Sequence, residues 1–170
     1  MKRLIFSLLL CAIVLGCISQ SYSVEDITLY WASVKSFEAQ EIIKIGNQSF
    51  ESHVIFVKPD KIIREDYVNG SLAQKIIIEN NTQRVITSNT TFILNATITD
   101  VNALDPFVAI LNNLQNFNIM KNGDILILKP KTPEMLTYEV KLNGKLPAKI
   151  TIKQAEQTIT IEYKKLKATG

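Results

Sequence analysis

Past position 17 the chain contains no cysteine, and its 170 residues hold a single histidine, His53. Those counts exclude a disulfide scaffold, a zinc ribbon and a Cys/His hydrolase. A dominant sign of charge is also missing. Lysine and arginine number 19 against 16 acidic residues, and removing Lys2 and Arg3, which belong to a leader-like segment, leaves 17 against 16. That balance is too even for a chain that binds nucleic acid by counterion release. Glycine and proline are scarce, at 6 and 5 residues, and no Gly/Ser-rich linker or charge block divides the chain. A single domain follows. The one long apolar run, Leu4 to Leu15, is short for a membrane-spanning helix, which excludes a multi-span protein. A 46% hydrophobic, 21% charged composition is that of an ordinary folded chain rather than a disordered one.

Catalytic signatures are absent as well. The sequence has no G-x-S-x-G elbow, no P-loop and no G-x-G-x-x-G. His53 falls on a strand-like segment, where a structural or exposed role is expected. Glu65 and Asp66 are neighbours on another, so their carboxylates face opposite sides and form no dyad. No enzyme, cofactor or metal site is expected from these residues.

What is present begins with an address. Lys2 and Arg3 precede the apolar run, and small and polar residues lead out of it to Ser23, the layout of an export signal over 1–23. Two exits are open. Val14-Leu15-Gly16-Cys17 resembles a lipobox, in which Cys17 would carry the lipid and become the N-terminus. Ser21-Tyr22-Ser23 suits an ordinary signal-peptidase cut. Either places the domain, 24–170, outside the cytoplasm.

The domain reads as strands with two helices. Ile27, Trp31 and Val34 recur at helical spacing from Val24 to about Ser36, behind Glu25 and Asp26 in the first turn. Strands are predicted at 37–45, 48–58, 61–68, 71–79, 82–88 and 90–98. A second helix is predicted near 103–115, opened by Asp105-Pro106 and striped with Phe107, Ile110, Leu111 and Leu114. Strands resume at 117–121, 124–130, 134–142, 147–154 and 157–164. Asn-Gly pairs at 69–70, 122–123 and 143–144 mark hairpins. Late strands alternate cleanly: Leu136, Tyr138, Val140 and Leu142 on one face, then Ile150 with Ile152, then Ile159, Ile161 and Tyr163. Val54 and Phe56 share a face opposite Ile55 and Val57. About eleven one-sided strands are more apolar surface than two short helices cover. The fold class is mainly β, and either the sheet curls around its own side chains or it leaves apolar room for a ligand.

Several segments in order resemble the bacterial lipoprotein-carrier family, LolA and its relative LolB. They are Val34-Lys35-Ser36-Phe37-Glu38-Ala39, Val57-Lys58-Pro59-Asp60-Lys61 and Asp105-Pro106-Phe107-Val108-Ala109-Ile110-Leu111. Phe117 to Asp124 with Leu128-Lys129-Pro130-Lys131 follows, then Leu146 to Ile150 with Gln157 to Glu162. The series spans roughly 25–165. The resemblance implies an open, incomplete antiparallel β-barrel of about eleven strands, with a helical lid over a hydrophobic cavity. It implies acyl chains of lipids or lipoproteins as partners, and a monomer in the periplasm or at the outer face of the cell membrane. The cavity and lid residues would be Ile27, Trp31, Val34, Val54, Phe56, Phe107, Ile110, Leu111, Leu114, Tyr138, Val140, Ile150, Ile152, Ile159 and Ile161.

The family's carrier has an arginine before the motif proline, held to close the lid. Here that position is Lys58, which becomes the expected latch, without the planar fork of a guanidinium. Ile18 in place of aspartate removes the family's retention signal, and the short tail after the last strand lacks the carrier's extension. Both features, with Cys17, favour a membrane-tethered acceptor over a free shuttle. The alternative is an envelope sensor or scaffold that uses the same barrel to bind a partner protein. Five Asn-x-Ser/Thr sequons, at Asn47, Asn69, Asn80, Asn89 and Asn95, would carry glycans in an archaeal or eukaryotic secretory chain. Otherwise they reflect the preference of asparagine for turns.

Overall fold

The computed structural model describes residues 21–133, 135–154 and 157–170. Cys17 and most of the expected leader lie outside the described residues.

The first helix, α1 (Val24–Ser33), opens on a reciprocal cap. Asp26 N–H donates to Ser23 Oγ at 3.0 Å and Ser23 N–H donates to Asp26 Oδ2 at 3.0 Å. It ends three residues before the expected Ser36. Val34 is already extended, and Lys35 N–H pairs with Thr169 O at 2.8 Å, so the sheet takes the chain over.

Six strands follow: β1 (Ser36–Ile45), β2 (Gln48–Val57), β3 (Lys61–Val68), β4 (Ser71–Glu79), β5 (Thr82–Thr87) and β6 (Thr91–Asn95). Beyond the helices come β7 (Phe117–Asn122), β8 (Ile125–Pro130), β9 (Tyr138–Asn143), β10 (Leu146–Gln154) and β11 (Gln157–Thr169). The 11 strands form one antiparallel sheet in the order β6-β5-β4-β3-β2-β1-β11-β10-β9-β8-β7. Its edges, β6 and β7, do not pair, so the barrel is open. Asn69 at φ 51° and Gly70 at φ 76° make the β3–β4 turn in the left-handed conformation that an Asn-Gly hairpin requires.

The region between β6 and β7 departs from expectation. Instead of a strand through residue 98 and one helix over 103–115, β6 stops at Asn95. Two helices follow, α2 (Ile98–Leu104) and α3 (Pro106–Asn113), with a 3₁₀ turn at Leu114–Asn116. The backbone N–H and hydroxyl of Thr97 both donate to Asp100 Oδ2 at 2.7 Å, fixing the start of α2. Asp105 is extended at φ −153°, as a residue before proline prefers, and this separates the helices. Its carboxylate then accepts from Val108 N–H at 2.9 Å and caps α3. Two other boundaries move. The strand expected at 134–142 starts at Tyr138, leaving Leu136 before it, and the last strand continues to Thr169.

Helices and 3₁₀ turn sit on the inner face of the sheet. Phe37, Ala39 and Ile43 of β1, Val54 and Phe56 of β2, Ile62 of β3, Ile76 and Ile78 of β4, Leu126 and Leu128 of β8, Val140 of β9, Ile150 of β10 and Ile161 of β11 are buried there. The outer face is wet and charged. On it His53 lies between Glu38 (Nε2 to Oε1, 2.9 Å) and Glu65 (Nδ1 to Oε2, 3.6 Å), and Lys75 Nζ meets Glu65 Oε1 at 2.8 Å. Glu65 faces out and Asp66 faces in, as strand alternation requires.

Candidate functional site

The residues expected at the cavity and lid converge. Ile27, Trp31, Val34, Val54, Phe56, Phe107, Ile110, Leu111, Tyr138, Val140, Ile150, Ile152 and Ile161 all belong to one buried apolar cluster, with Leu114 and Ile159 partly buried against it. Val54 and Phe56 are the inward pair of β2, whereas Val57 is exposed on the other side. Phe107 is the hub. Its ring lies 5.4 Å from Trp31, 5.3 Å from Phe37 and 6.4 Å from Tyr163, so one side chain of α3 joins α1, β1 and β11. The helices fill the inner face with their own side chains, which makes them its cover.

The cover is fastened by side-chain bonds rather than by shared strands. Trp31 Nε1–H donates to Lys145 O at 2.6 Å, tying α1 to the β9–β10 turn, and Lys145 Nζ sits 4.9 Å from the centre of the Tyr22 ring. Asn112 of α3 donates to Pro59 O at 3.3 Å. A helix carbonyl is also bonded by a residue of β3, Arg64. Arg64 Nη1 donates to Leu104 O at the end of α2, while its Nε donates to Asp66 Oδ1 at 2.7 Å. Arg64 is held in turn: Nη2 donates to Ser52 Oγ at 3.1 Å, Ser52 donates to Asp66, and Gln74 Nε2 donates to Asp66 Oδ2 at 2.7 Å. A buried guanidinium so fixed is a rigid fork, a role lysine could not fill.

Beside this network stands a group with no bond. Glu41 of β1 is 2% exposed, and neither carboxylate oxygen has a hydrogen-bond partner. Burial, and then the nearby Asp105 carboxylate, push its pKa well above the usual glutamate range, with Arg64 opposing. Burial and Asp105 thus favour the protonated form of Glu41 beneath the α2–α3 junction. Tyr163 donates to Asp105 Oδ2 at 3.4 Å, and burial followed by the Asp105 and Glu41 carboxyls raises its phenol well above its ordinary value. Neither Glu41 nor Arg64 was among the residues singled out from sequence. A signal existed for Glu41, which interrupts the inward apolar alternation Phe37-Ala39-Glu41-Ile43, whereas Arg64 shares the inward side of β3 with Ile62 and the charged Asp66.

An open groove of about 460 Å³ runs between α1 and α3, lined by Thr28, Leu29, Ala32, Leu111, Leu114, Gln115 and Ile119, with Lys58 on its rim. The Lys58 ammonium makes no hydrogen bond or ion pair among the described residues, and partial burial lowers its pKa. The groove is lined mainly by apolar side chains, with the Lys58 ammonium among them. Among the described residues no cluster of His, Cys, Asp or Glu could hold a metal ion.

No protein-family model and no curated protein matches the sequence. Solved structures similar in architecture include a LolA superfamily protein of Nitrosomonas europaea, at 9% identity and TM-score 0.48 over 88% of this chain and 95% of that one. The lipoprotein LppX of Mycobacterium tuberculosis aligns at 11% identity and TM-score 0.43, over 85% and 96% of the two chains. The complex of MucA and MucB from Pseudomonas aeruginosa aligns at 12% identity and TM-score 0.49 over 86% of this chain, which spans 56% of the matched one. In chain path, the protein is thus similar to LolA superfamily structures.

Proposed function

We propose that this protein is an exported, non-enzymatic carrier or membrane-tethered acceptor of acyl chains, with α1, α2 and α3 as the lid over its binding face. The observation that carries this reading is the inner face itself. It carries apolar side chains from β8 across to β4, interrupted by the buried polar group of Glu41, Ser52, Arg64 and Asp66, and its cover is a set of short helices held by individual side-chain bonds. When those bonds release, the face becomes a long apolar trough, entered along the groove that Leu29, Leu111 and Ile119 line. Each methylene buried there contributes about 0.8 kcal/mol, so a chain binds without sequence-specific contacts and leaves when the lid recloses. Lys58 at the rim would meet the head of the ligand; Cys17, if lipidated, would hold the domain at the membrane.

Titration with a fluorescent fatty-acyl probe tests the reading. The protein should take the probe up, and Leu29→Arg, a change at an exposed groove residue, should weaken uptake without unfolding the chain. Lys58→Ala should weaken an anionic probe more than a neutral one. Absence of uptake, together with no extractable acyl lipid on protein taken from its own host, would sink the carrier reading. A partner-binding scaffold would then lead.

A further inference from the structure

Strand β6 is anomalous. Thr91–Asn95 is an edge strand with every residue exposed, including Phe92, Ile93 and Leu94 in succession. Edges of this kind invite pairing with another chain, and natural sheets guard them with charge, proline, a bulge or a covering element. The other edge is guarded: β7 carries Lys121 and has α1 against it. On β6 there is no charge and no proline, and its register with β5 is unbroken.

Two sequons bracket that strand. Asn89-Thr90-Thr91 leads into it from the β5 turn, and Asn95-Ala96-Thr97 ends it; both asparagines and both hydroxyl residues are exposed. Turn chemistry does not account for the pattern. Between 47 and 95, five of six asparagines have Ser or Thr two residues on, whereas none of the seven from 102 onward does. The three Asn-Gly hairpins make the point directly: Asn69-Gly70 is followed by Ser71, but Asn122-Gly123 by Asp124 and Asn143-Gly144 by Lys145. The added hydroxyl is what an acceptor site needs and a turn does not.

We infer that Asn89 and Asn95 are N-glycosylation sites whose glycans cover the free edge at β6. In the transfer, the asparagine amide nitrogen bonds to the anomeric carbon of a lipid-phosphate-linked oligosaccharide. The bond from that carbon to the phosphate oxygen breaks, one amide proton is released, and the lipid phosphate leaves. Bulky hydrated chains at both ends of a five-residue strand keep other strands from aligning with it.

The inference rests on export but not on acyl binding. The test takes the full-length protein from its own host, checks protease accessibility in intact cells, and maps glycopeptides by mass spectrometry. Glycan mass on the Asn89 and Asn95 peptides is expected, with loss of both increments in N89Q/N95Q. The double variant, still able to take up the acyl probe, should self-associate as its concentration rises while the glycosylated protein stays monomeric. Accessible protein with unmodified Asn89 and Asn95 overturns the inference and leaves export standing. Inaccessible protein overturns both, and a double variant that remains monomeric overturns the shielding role.

Discussion

The part of the inner face under the helices and the flank beyond them are made from comparable apolar strands, yet they end in different surroundings. Leu126, Leu128, Val140 and Ile150 are fully buried beneath the lid. On the other side of β1 the pattern fades from β4 to β6: Ile78 of β4 is buried, Val85 of β5 is half-buried, and Phe92 and Leu94 of β6 are more than half exposed. Strand alternation decides which face is apolar; only a covering element decides whether that face is dry. The lid is narrower than the sheet it serves. On the proposed function the excess is apolar surface for a ligand on one side of the lid, and on the further inference it is a hazard to be shielded at the free edge.

The comparison breaks most readily at Phe107. Phe107→Ala removes the ring that joins α1, β1 and β11, and should cost about 3–5 kcal/mol in urea unfolding. The same truncation at Phe92 should stay within about 0.5 kcal/mol. Equal losses at the two positions would mean that the flank is as well packed as the lid. Next in size is Arg64→Met, which strands Asp66 and frees the Leu104 carbonyl. A loss of about 3 kcal/mol is expected for removing one member of a buried ion pair. Hydrogen exchange should quicken in α2 before it does in β8. Exchange that rises uniformly would show Arg64 to be a core strut rather than a fastening of the lid.

Glu41 gives the third and smaller effect, of opposite sign. In the folded chain Glu41 keeps its proton at pH values where the unfolded chain has lost it. Its contribution to stability is therefore complete below the ordinary glutamate range, and is lost progressively as pH rises from that range toward the higher folded value. Glu41→Gln removes this titration and supplies N–H donors facing Asp105. A gain of about 1–3 kcal/mol at neutral pH is expected, with a flatter stability profile toward alkaline pH. A variant that loses stability at every pH would mean that the acid's geometry matters more than its proton.

Much of this was readable from the chain. Alternation located the 11 strands and sorted their residues into two faces, because a strand's period survives any tertiary arrangement; which face of β2 turns inward came only with the structure. Asn-Gly pairs placed the hairpins, and Asp105-Pro106 marked the start of α3. What escaped notice was chemistry that breaks the pattern. An inward Glu41 reads as a flaw in a stripe, and Arg64 as a strand charge, until the partners Asp66, Asp105 and Leu104 arrive at the same point. Helix α2 was hidden for a related reason: Ile98-Thr99 continues the β-branched run of β6, and only the Asp100 cap decides for a helix. Lys58 enters as a latch only through the family resemblance, and a sequence cannot say that the Arg64 guanidinium of β3 reaches the Leu104 carbonyl.

The smallest expected effect on stability sharpens the comparison most. Phe92→Lys puts a charge on the inner side of β6, opposite Val85, at a position already 53% exposed. Stability should change by no more than about 0.5 kcal/mol, because the ammonium stays hydrated and little packing is lost. On the proposed function, acyl binding should respond differently according to how far the trough extends. A ligand that uses the flank as a continuation of the lidded face must desolvate the new charge, so probe affinity should fall while the urea midpoint holds. A ligand confined beneath α1 and α3 should bind the variant as it binds the parent protein. Leu29→Arg, at the other end of the path, weakens binding in either case, so the pair of variants measures the length of the binding face with fold stability as the internal control.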